Sequence, residues 1–162
     1  YKIARDWAQQ HGQAGMIGFE IDPAVHSVRF DYDHLRQVMV NLLDNAHRYA
    51  SRHLEAIQIT VTYGDEVALV SVWSDGARMD QTVERHLFEP FFSSESRSSG
   101  LGLYISRELC ERHSATLTYQ RNSRIRDSQL HEGNEFMLTL TRLTSSISAE
   151  SDHNTPWQAS LY

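Results

Sequence analysis

The sequence predicts an α+β fold: a mixed or antiparallel sheet covered on one face by helices. Three observations predict it. Segments with two-residue apolar alternation come in groups of two, with a tight turn inside at least one group. Residues 33–49 instead carry apolar side chains at i, i+3, i+4 and i+7, the spacing of a half-buried helix. Helical segments fall between groups of strands, not after each strand, so the regular β-α-β alternation of a doubly wound sheet is missing.

Lys2 to Gln10 reads as a short helix ended by His11-Gly12. Met16 to Asp22 reads as a strand, Pro23 opens a connection, and Val28-Arg29-Phe30 reads as a second, short strand. Asp31 or Asp33 is placed to cap the next helix, because a short carboxylate accepts its orphan N–H groups. That helix carries its apolar residues at Leu35, Val38, Met39, Leu42, Leu43, Ala46 and Tyr49. Ile57 to Tyr63 and Val67 to Trp73 form a hairpin around Gly64-Asp65. Ser74-Asp75-Gly76-Ala77 breaks the strand, and Gln81 to Leu87 is a short helix with Val83 and Leu87 facing inward. Phe88, Phe91 and Phe92 crowd the next five residues. Ser93 to Ser99 has no apolar anchor and reads as a mobile loop. A helix then runs from Gly100 to about His113, with Leu101, Ile105 and Leu109 on one face. Ala115 to Gln120 and Glu135 to Leu143 are strands, joined through a long polar loop, Asn122 to Asn134. Residues 1–12 thus form a connecting helix, 13–143 one domain, and 144–162 a Ser-rich disordered tail.

A chain of 162 residues is long enough for one domain with a real core. Its net charge of −6 argues against broad nucleic-acid binding. Cys110 is the single cysteine, so no internal disulfide forms, which fits a reducing compartment. No apolar run reaches the roughly 18–20 residues of a membrane span. The chain starts at Tyr1 without a methionine and reads as a piece of a longer protein.

The chemistry concentrates along the 33–49 helix. At about 100° per residue, Gln37, Asn41, Asn45 and Arg48 form a stripe beside the apolar face. Asparagines are poor helix formers, so propensity does not explain two of them at i, i+4. On the helix alone two roles stay open. The amides are solvated or cap a neighbouring loop, or they face a ligand, with amide oxygens on a hard cation and Arg48 on a phosphate. Three further stretches have matching chemistry: Ser74-Asp75-Gly76 at a strand end, the polar run 93–99, and Gly100-Leu101-Gly102 at a helix start. Glycines there permit close approach of a phosphate to backbone N–H groups, although Gly-x-Gly alone is equally a plain turn.

In order and spacing these stretches resemble the N, G1, F and G2 boxes of the ATP-binding catalytic domain of sensor histidine kinases, in the superfamily of gyrase B, Hsp90 and MutL. Asn-Leu-Leu-Asp-Asn-Ala (41–46) is similar to the N box, Leu-Phe-Glu-Pro-Phe-Phe (87–92) to the F box, and Ser-Ser-Gly-Leu-Gly-Leu (98–103) to the G2 box. The likeness covers residues 16 to 143. Residues 103–110 and the Phe-Phe-Ser-Ser form look most like the NtrB-like branch, in particular the PilS type that regulates type IV pili. The resemblance implies a Bergerat fold, an α/β sandwich with a mixed sheet of about five strands and three main helices on one face, and ATP held between the helices and a mobile lid. It implies Asn45 as the main Mg²⁺ ligand, Asn41 at metal and phosphates, Arg48 near the phosphates and Tyr49 against the adenine. Ser99, Gly100, Leu101, Gly102 and Leu103 would wrap the phosphates, with Arg97 of the lid nearby, while Phe88, Phe91 and Phe92 anchor the lid.

The resemblance further implies phosphoryl transfer to a histidine on an upstream dimerising hairpin, then signalling to a response regulator. None of the nine histidines lies in the His-Glu/Asp-x-x-x-Pro setting of that acceptor. The expected assembly is a homodimer of the full-length protein with a monomeric fragment. The domain is expected in the cytoplasm, under a parent anchored in the bacterial inner membrane. Hydrolysing relatives carry Glu where this chain has Asn41; a neutral amide is a poor general base, so slow hydrolysis is expected.

The G1 box departs from Asp-x-Gly-x-Gly. Its adenine-reading Asp is Ser74, Gly76 is retained, and the second glycine is Arg78. Asp75 points to the other face of the strand and cannot substitute. Losing a charge-assisted hydrogen bond costs about 1.5–3 kcal/mol, roughly ten- to a hundred-fold in affinity. Glu95 stands where the lid commonly has a basic residue, and Ser98 replaces a usual glycine. An alternative therefore stands beside the active kinase: a degenerate domain serving as a regulatory or interaction module. A different enzyme on the same fold, such as a serine kinase acting on a partner protein, is a third reading. His47, His86 and His113 lie on separate segments without metal-ligand spacing.

Overall fold

The computed structural model describes residues 1–24, 26–92 and 100–143. Helix α1 (Lys2–Gln10) is followed by a 3-10 turn (Ala14–Met16) and strand β1 (Ile17–Ile21). Helix α2 (Tyr32–Tyr49) leads to the hairpin of β2 (Ile57–Tyr63) and β3 (Val67–Ser74). Then come α3 (Gln81–Arg85), α4 (Gly102–Arg112) and a second hairpin, β4 (Thr116–Arg126) with β5 (Gln129–Thr141). The strands form one sheet in the order β1-β2-β3-β5-β4. The β1–β2 pair is parallel and the others antiparallel. This is the five-stranded mixed sheet that the resemblance implies.

Alternation decides which face of the sheet meets the helices. Ala68, Val70 and Val72 of β3 lie opposite Leu140, Leu138 and Phe136 of β5, and this set joins the core. From above, α2 contributes Val38, Met39, Leu42, Leu43 and Ala46, all buried. Helix α1 adds Ala4, Trp7 and Ala8 to the same core. Asp31 caps α2, its Oδ1 accepting from His34 N at 3.0 Å. In α4 the inward stripe is Leu103, Ser106, Leu109 and Cys110. It is rotated from the expected Leu101, Ile105 and Leu109, because Ser106 is fixed inward by hydrogen bonds to Asn41 and Gly102.

Two expectations are corrected. Val28-Arg29-Phe30 is no strand; Val28 makes one isolated bridge to Arg142. Residues 122–134 are not a loop, since β4 and β5 pair without a break from Thr116↔Thr139 to Arg126↔Gln129. Asp127 and Ser128 turn the chain with φ of 50° and 62°, the paired left-handed geometry that suits the twist of a two-residue hairpin.

The polar residues that suggested a loop cover the sheet face turned away from the helices. Arg124 donates to Ser71 Oγ (2.7 Å), Glu135 Oε1 (2.5 Å) and Thr60 Oγ1. Trp73 Nε1 donates to the Asn122 carbonyl at 3.0 Å. Glu135 also accepts from Gln120, Asn122 and Ser71. Burial pushes its carboxyl up, but hydrogen bonds from Ser71, Gln120, Arg124 and Asn122 outweigh that and bring it to about 2.

The tail from 144 and the run 93–99, expected to be disordered and mobile, lie outside the described residues. Among the described residues no helix is long and apolar enough to cross a membrane.

Candidate functional site

One cavity of about 550 Å³ opens between α2, the 77–80 segment, α3 and the start of α4, a size that suits a small-molecule ligand. From α2 it is lined by Asn41, Asp44, Asn45, Arg48 and Tyr49, and from the F and G2 stretches by Phe92, Gly100, Gly102 and Leu103. Ala77, Arg78, Met79, Asp80, Val83, Leu87 and Asn134 complete it. The helical stripe, the segment after β3 and the glycine-led helix start thus meet in space, although they are dispersed in sequence.

Asn41 is held from one side. Its Nδ2 donates to the Gly102 carbonyl and to Ser106 Oγ, both at 3.0 Å. Both amide N–H groups are thereby used, and the oxygen is left for other partners. Asn45, one turn later, lines the same cavity. Two amide oxygens beside the Asp44 carboxylate are hard donors of the kind Mg²⁺ takes together with phosphate oxygens and water. The donor set fits such an ion. Among the described residues no group of three or more His, Cys, Asp or Glu could hold a metal without a ligand's help. Asp44 is also tied to α1, since its Oδ1 accepts from Trp7 Nε1 at 2.8 Å.

Two glycines are required by close approach. A Cβ on Gly76 would lie 2.8 Å from the Tyr49 carbonyl oxygen, so only glycine lets the turn after β3 seat against the end of α2. Gly100 has φ +64° and lies against the backbone of Phe91 and Phe92, where a Cβ would come within 2.7 Å. This brings the end of the F stretch to the entry of α4. Phe92 lines the cavity, Phe88 meets Phe136 edge-on at 6.4 Å, and Phe91 is 79% exposed.

Ser74 and Gly76 do not line the cavity. Ser74 is buried and pairs in the ladder with Ile57 and Asn134. Asp75 is committed elsewhere. Its Oδ1 accepts from Ser51 N (2.8 Å), and its Oδ2 from Ser51 Oγ and Arg126 Nη1 (both 2.5 Å). Burial raises this carboxyl, and the bonds to Ser51 and Arg126 more than offset the rise, leaving it below the usual carboxylate range. Leu101 stands at the N-cap position of α4. Arg97 and Ser99 lie outside the described residues.

Besides Asp44, sequence reasoning also missed Asn134 as a site residue. It is buried opposite Ser74, and its side chain reaches the cavity wall. Its Oδ1 accepts from Tyr119 OH (2.8 Å) and Arg121 Nη1 (3.1 Å), and its Nδ2 donates to the Ala77 carbonyl (2.9 Å). Arg121 Nη1 also donates to the Gly76 carbonyl at 2.8 Å. The signal was the alternation itself: running β5 back two residues from core Phe136 places Asn134 on the helix-facing side.

Comparison with known proteins adds the following. Residues 30–144 match the family described as histidine kinase-, DNA gyrase B-, and HSP90-like ATPase. The sensor protein kinase PilS of Pseudomonas aeruginosa is 36% identical over 96 residues, 57% of this chain and 18% of that protein. The histidine-protein kinase AtoS of Escherichia coli is 29% identical over 94 residues, 58% of this chain and 16% of that protein. The chain therefore spans less than a fifth of these relatives. Among solved structures, the catalytic domain of histidine kinase ThkA superposes with a TM-score of 0.68 at 24% identity, covering 87% of this chain and 91% of that chain. Full-length ShkA in complex with AMPPNP gives a TM-score of 0.67 at 21% identity, covering 89% of this chain and 30% of that chain. These likenesses show the fold.

Proposed function

Because this chain belongs to the family of histidine kinase-, DNA gyrase B- and HSP90-like ATPases, we propose that it is the ATP-binding catalytic domain of a sensor histidine kinase. It holds Mg-ATP for transfer of the γ-phosphoryl group to a histidine on another domain. One observation carries the reading: the Asn41/Asn45/Arg48 stripe and the Gly100–Gly102 helix start line the same cavity. ATPase-family membership supports ATP as the ligand. The nucleotide analogue bound to ShkA, a protein of the same fold, agrees with it.

Each role follows from chemistry. Asn41 and Asn45 offer amide oxygens to Mg²⁺, which would neutralise phosphate charge in the cavity. Arg48 adds a guanidinium at the same wall, and backbone N–H groups at the start of α4 meet the phosphates. Ser99 and Arg97 are assigned to the phosphates on the motif alone. Such transfer needs positioning and charge neutralisation more than covalent help. Asn41, locked by Gly102 and Ser106, positions well but removes protons poorly, so hydrolysis by the isolated domain is slow. The acceptor lies on a dimerising domain joined through α1, and the phosphoryl group passes on to a response regulator. A membrane-anchored sensor is the parent this reading implies.

The test is calorimetric titration of ATP with Mg²⁺ into the native chain and into Asn45→Ala. The reading predicts micromolar to sub-millimolar binding, lost by more than ten-fold in the variant. Equal affinity in both proteins, or no binding to a folded native chain, would overturn it.

A further inference from the structure

Two of the nine histidines meet away from the cavity. His34 stands in the first turn of α2 and His113 at the C-cap of α4. His34 Nδ1 and His113 Nε2 are 2.8 Å apart, although 79 positions separate the residues, so no spacing rule in the sequence shows the pair. Both rings are half-buried. Their places are fixed from outside the pair. Asp31 Oδ1 accepts from His34 N at 3.0 Å, and the Phe30 ring lies against His113 with centroids 4.4 Å apart.

Imidazoles this close share one proton: one nitrogen donates it and the other offers its lone pair. Replacing that proton with a cation turns both lone pairs toward one centre. Two bonds of about 2.0–2.1 Å to a tetrahedral or octahedral ion hold their nitrogens about 3.0–3.4 Å apart, so the pair opens only slightly to admit it. The surroundings favour positive charge. Asp31 is held below the usual carboxylate range, first by the His34 N–H and then by smaller contributions that include both rings. Among the described residues no third His, Cys, Asp or Glu joins the pair to make a closed cage. Water takes the remaining positions, and the ion exchanges.

We propose that His34 and His113 form a two-imidazole clip for a borderline divalent cation, Zn²⁺ or Cu²⁺, which ties the start of α2 to the end of α4. The choice of cation follows from the donors. Imidazole suits Zn²⁺, Cu²⁺ and Ni²⁺, whereas Mg²⁺ takes oxygen. The clip is therefore chemically separate from the Mg²⁺ assigned to the nucleotide, and it does not rest on the nucleotide reading. It is also separate in place. Asn41, which joins α2 to Gly102 and Ser106 at the other end of α4, lies about two turns further along α2 than His34. The rings meet in the folded state and not in the unfolded chain, so the bound cation stabilises the fold.

The experiment is a calorimetric titration of ZnCl₂ into the native chain, without nucleotide and with Mg²⁺ in excess. It is repeated on His34→Gln, on His113→Gln and, as a control at an exposed histidine outside the pair, on His53→Gln. The proposal predicts a single saturable site that excess Mg²⁺ does not block. Its affinity falls at least ten-fold in both clip variants and is unchanged in His53→Gln. Zn²⁺ also raises the melting temperature of the native chain by circular dichroism and leaves that of the two clip variants unmoved, which separates an ion held across two helices from one adsorbed on a single side chain. Electron spin-echo spectra of the Cu²⁺-loaded native chain show two coordinated imidazoles, a readout independent of how well the variants fold. Equal binding in native and clip variants, loss in only one of the two, a single imidazole on Cu²⁺, or a native chain that binds no Zn²⁺ each overturns the proposal. The pair is then a plain hydrogen bond, and the nucleotide reading stands.

Discussion

Ser74 and Asp75 are neighbours in sequence on opposite sides of the strand end. Ser74 faces the helices and Asn134, whereas Asp75 is gripped by Ser51 and Arg126. A carboxylate near the base motif is thus a structural anchor, as the two-residue period of a strand requires. Glu135 is the corresponding anchor behind the sheet. Its folded-state pKa of about 2 lies below the ordinary 4.5. Its contribution to stability is therefore complete above about pH 4.5 and lost as the pH falls toward 2, and Asp75, also lowered, acts in the same direction. The loss at Glu135 alone is on the order of 3 kcal/mol. Urea unfolding at pH 7, 5 and 3 checks this: stability should fall mainly below pH 5, and Glu135→Gln, already weakened by leaving Arg124 unpaired, should show a flatter acid limb.

At the scale of elements, what was legible in the sequence follows the strength of the local pattern. Helix α2 has seven apolar residues in helical spacing and a cap, and it starts within a residue of the expected position. The β2–β3 hairpin alternates around a glycine turn and was equally plain. The β4–β5 arm was misread because its alternating residues are mostly polar: Arg124, Arg126 and Asn122 satisfy charges and carbonyls behind the sheet instead of entering a core. Its turn also lacks glycine, although Asp127 and Ser128 both have positive φ. That missed arm hid Asn134, while the residues on α2 and α4 were found because the motif and the helix coincide. Left-handed backbone costs a non-glycine residue about 1–2 kcal/mol. Ser128→Gly is expected to raise stability by about 1 kcal/mol, measured by chemical denaturation, with nucleotide affinity unchanged.

Across the whole molecule, a layer of three helices and a five-stranded sheet leaves its cavity on the helix side, where α2 and α4 splay from the segment after β3. Helix α1 closes the other flank of α2, and Trp7 ties it to Asp44 of the cavity wall. The fold thereby connects the N-terminal helix to the residues assigned to the metal and phosphates through one hydrogen bond and a packed core. The back of the sheet, sealed by the β4–β5 arm, has no part in the ligand site. Exposed Ile125 and Leu130 at the arm's end pair four ladder rungs beyond Asn134, which makes them an internal control.

The central claim is that this cavity is where a nucleotide binds, and an amide-resolved NMR titration with a purine nucleoside triphosphate and Mg²⁺ tests it most directly. The account predicts saturable shifts at Asn41, Asn45, Gly76, Gly102, Leu103 and Asn134, with Ile125, Ser128 and Leu130 unmoved. Shifts concentrated at the end of the β4–β5 arm around Ile125, Ser128 and Leu130, or on no contiguous set of residues, would contradict it.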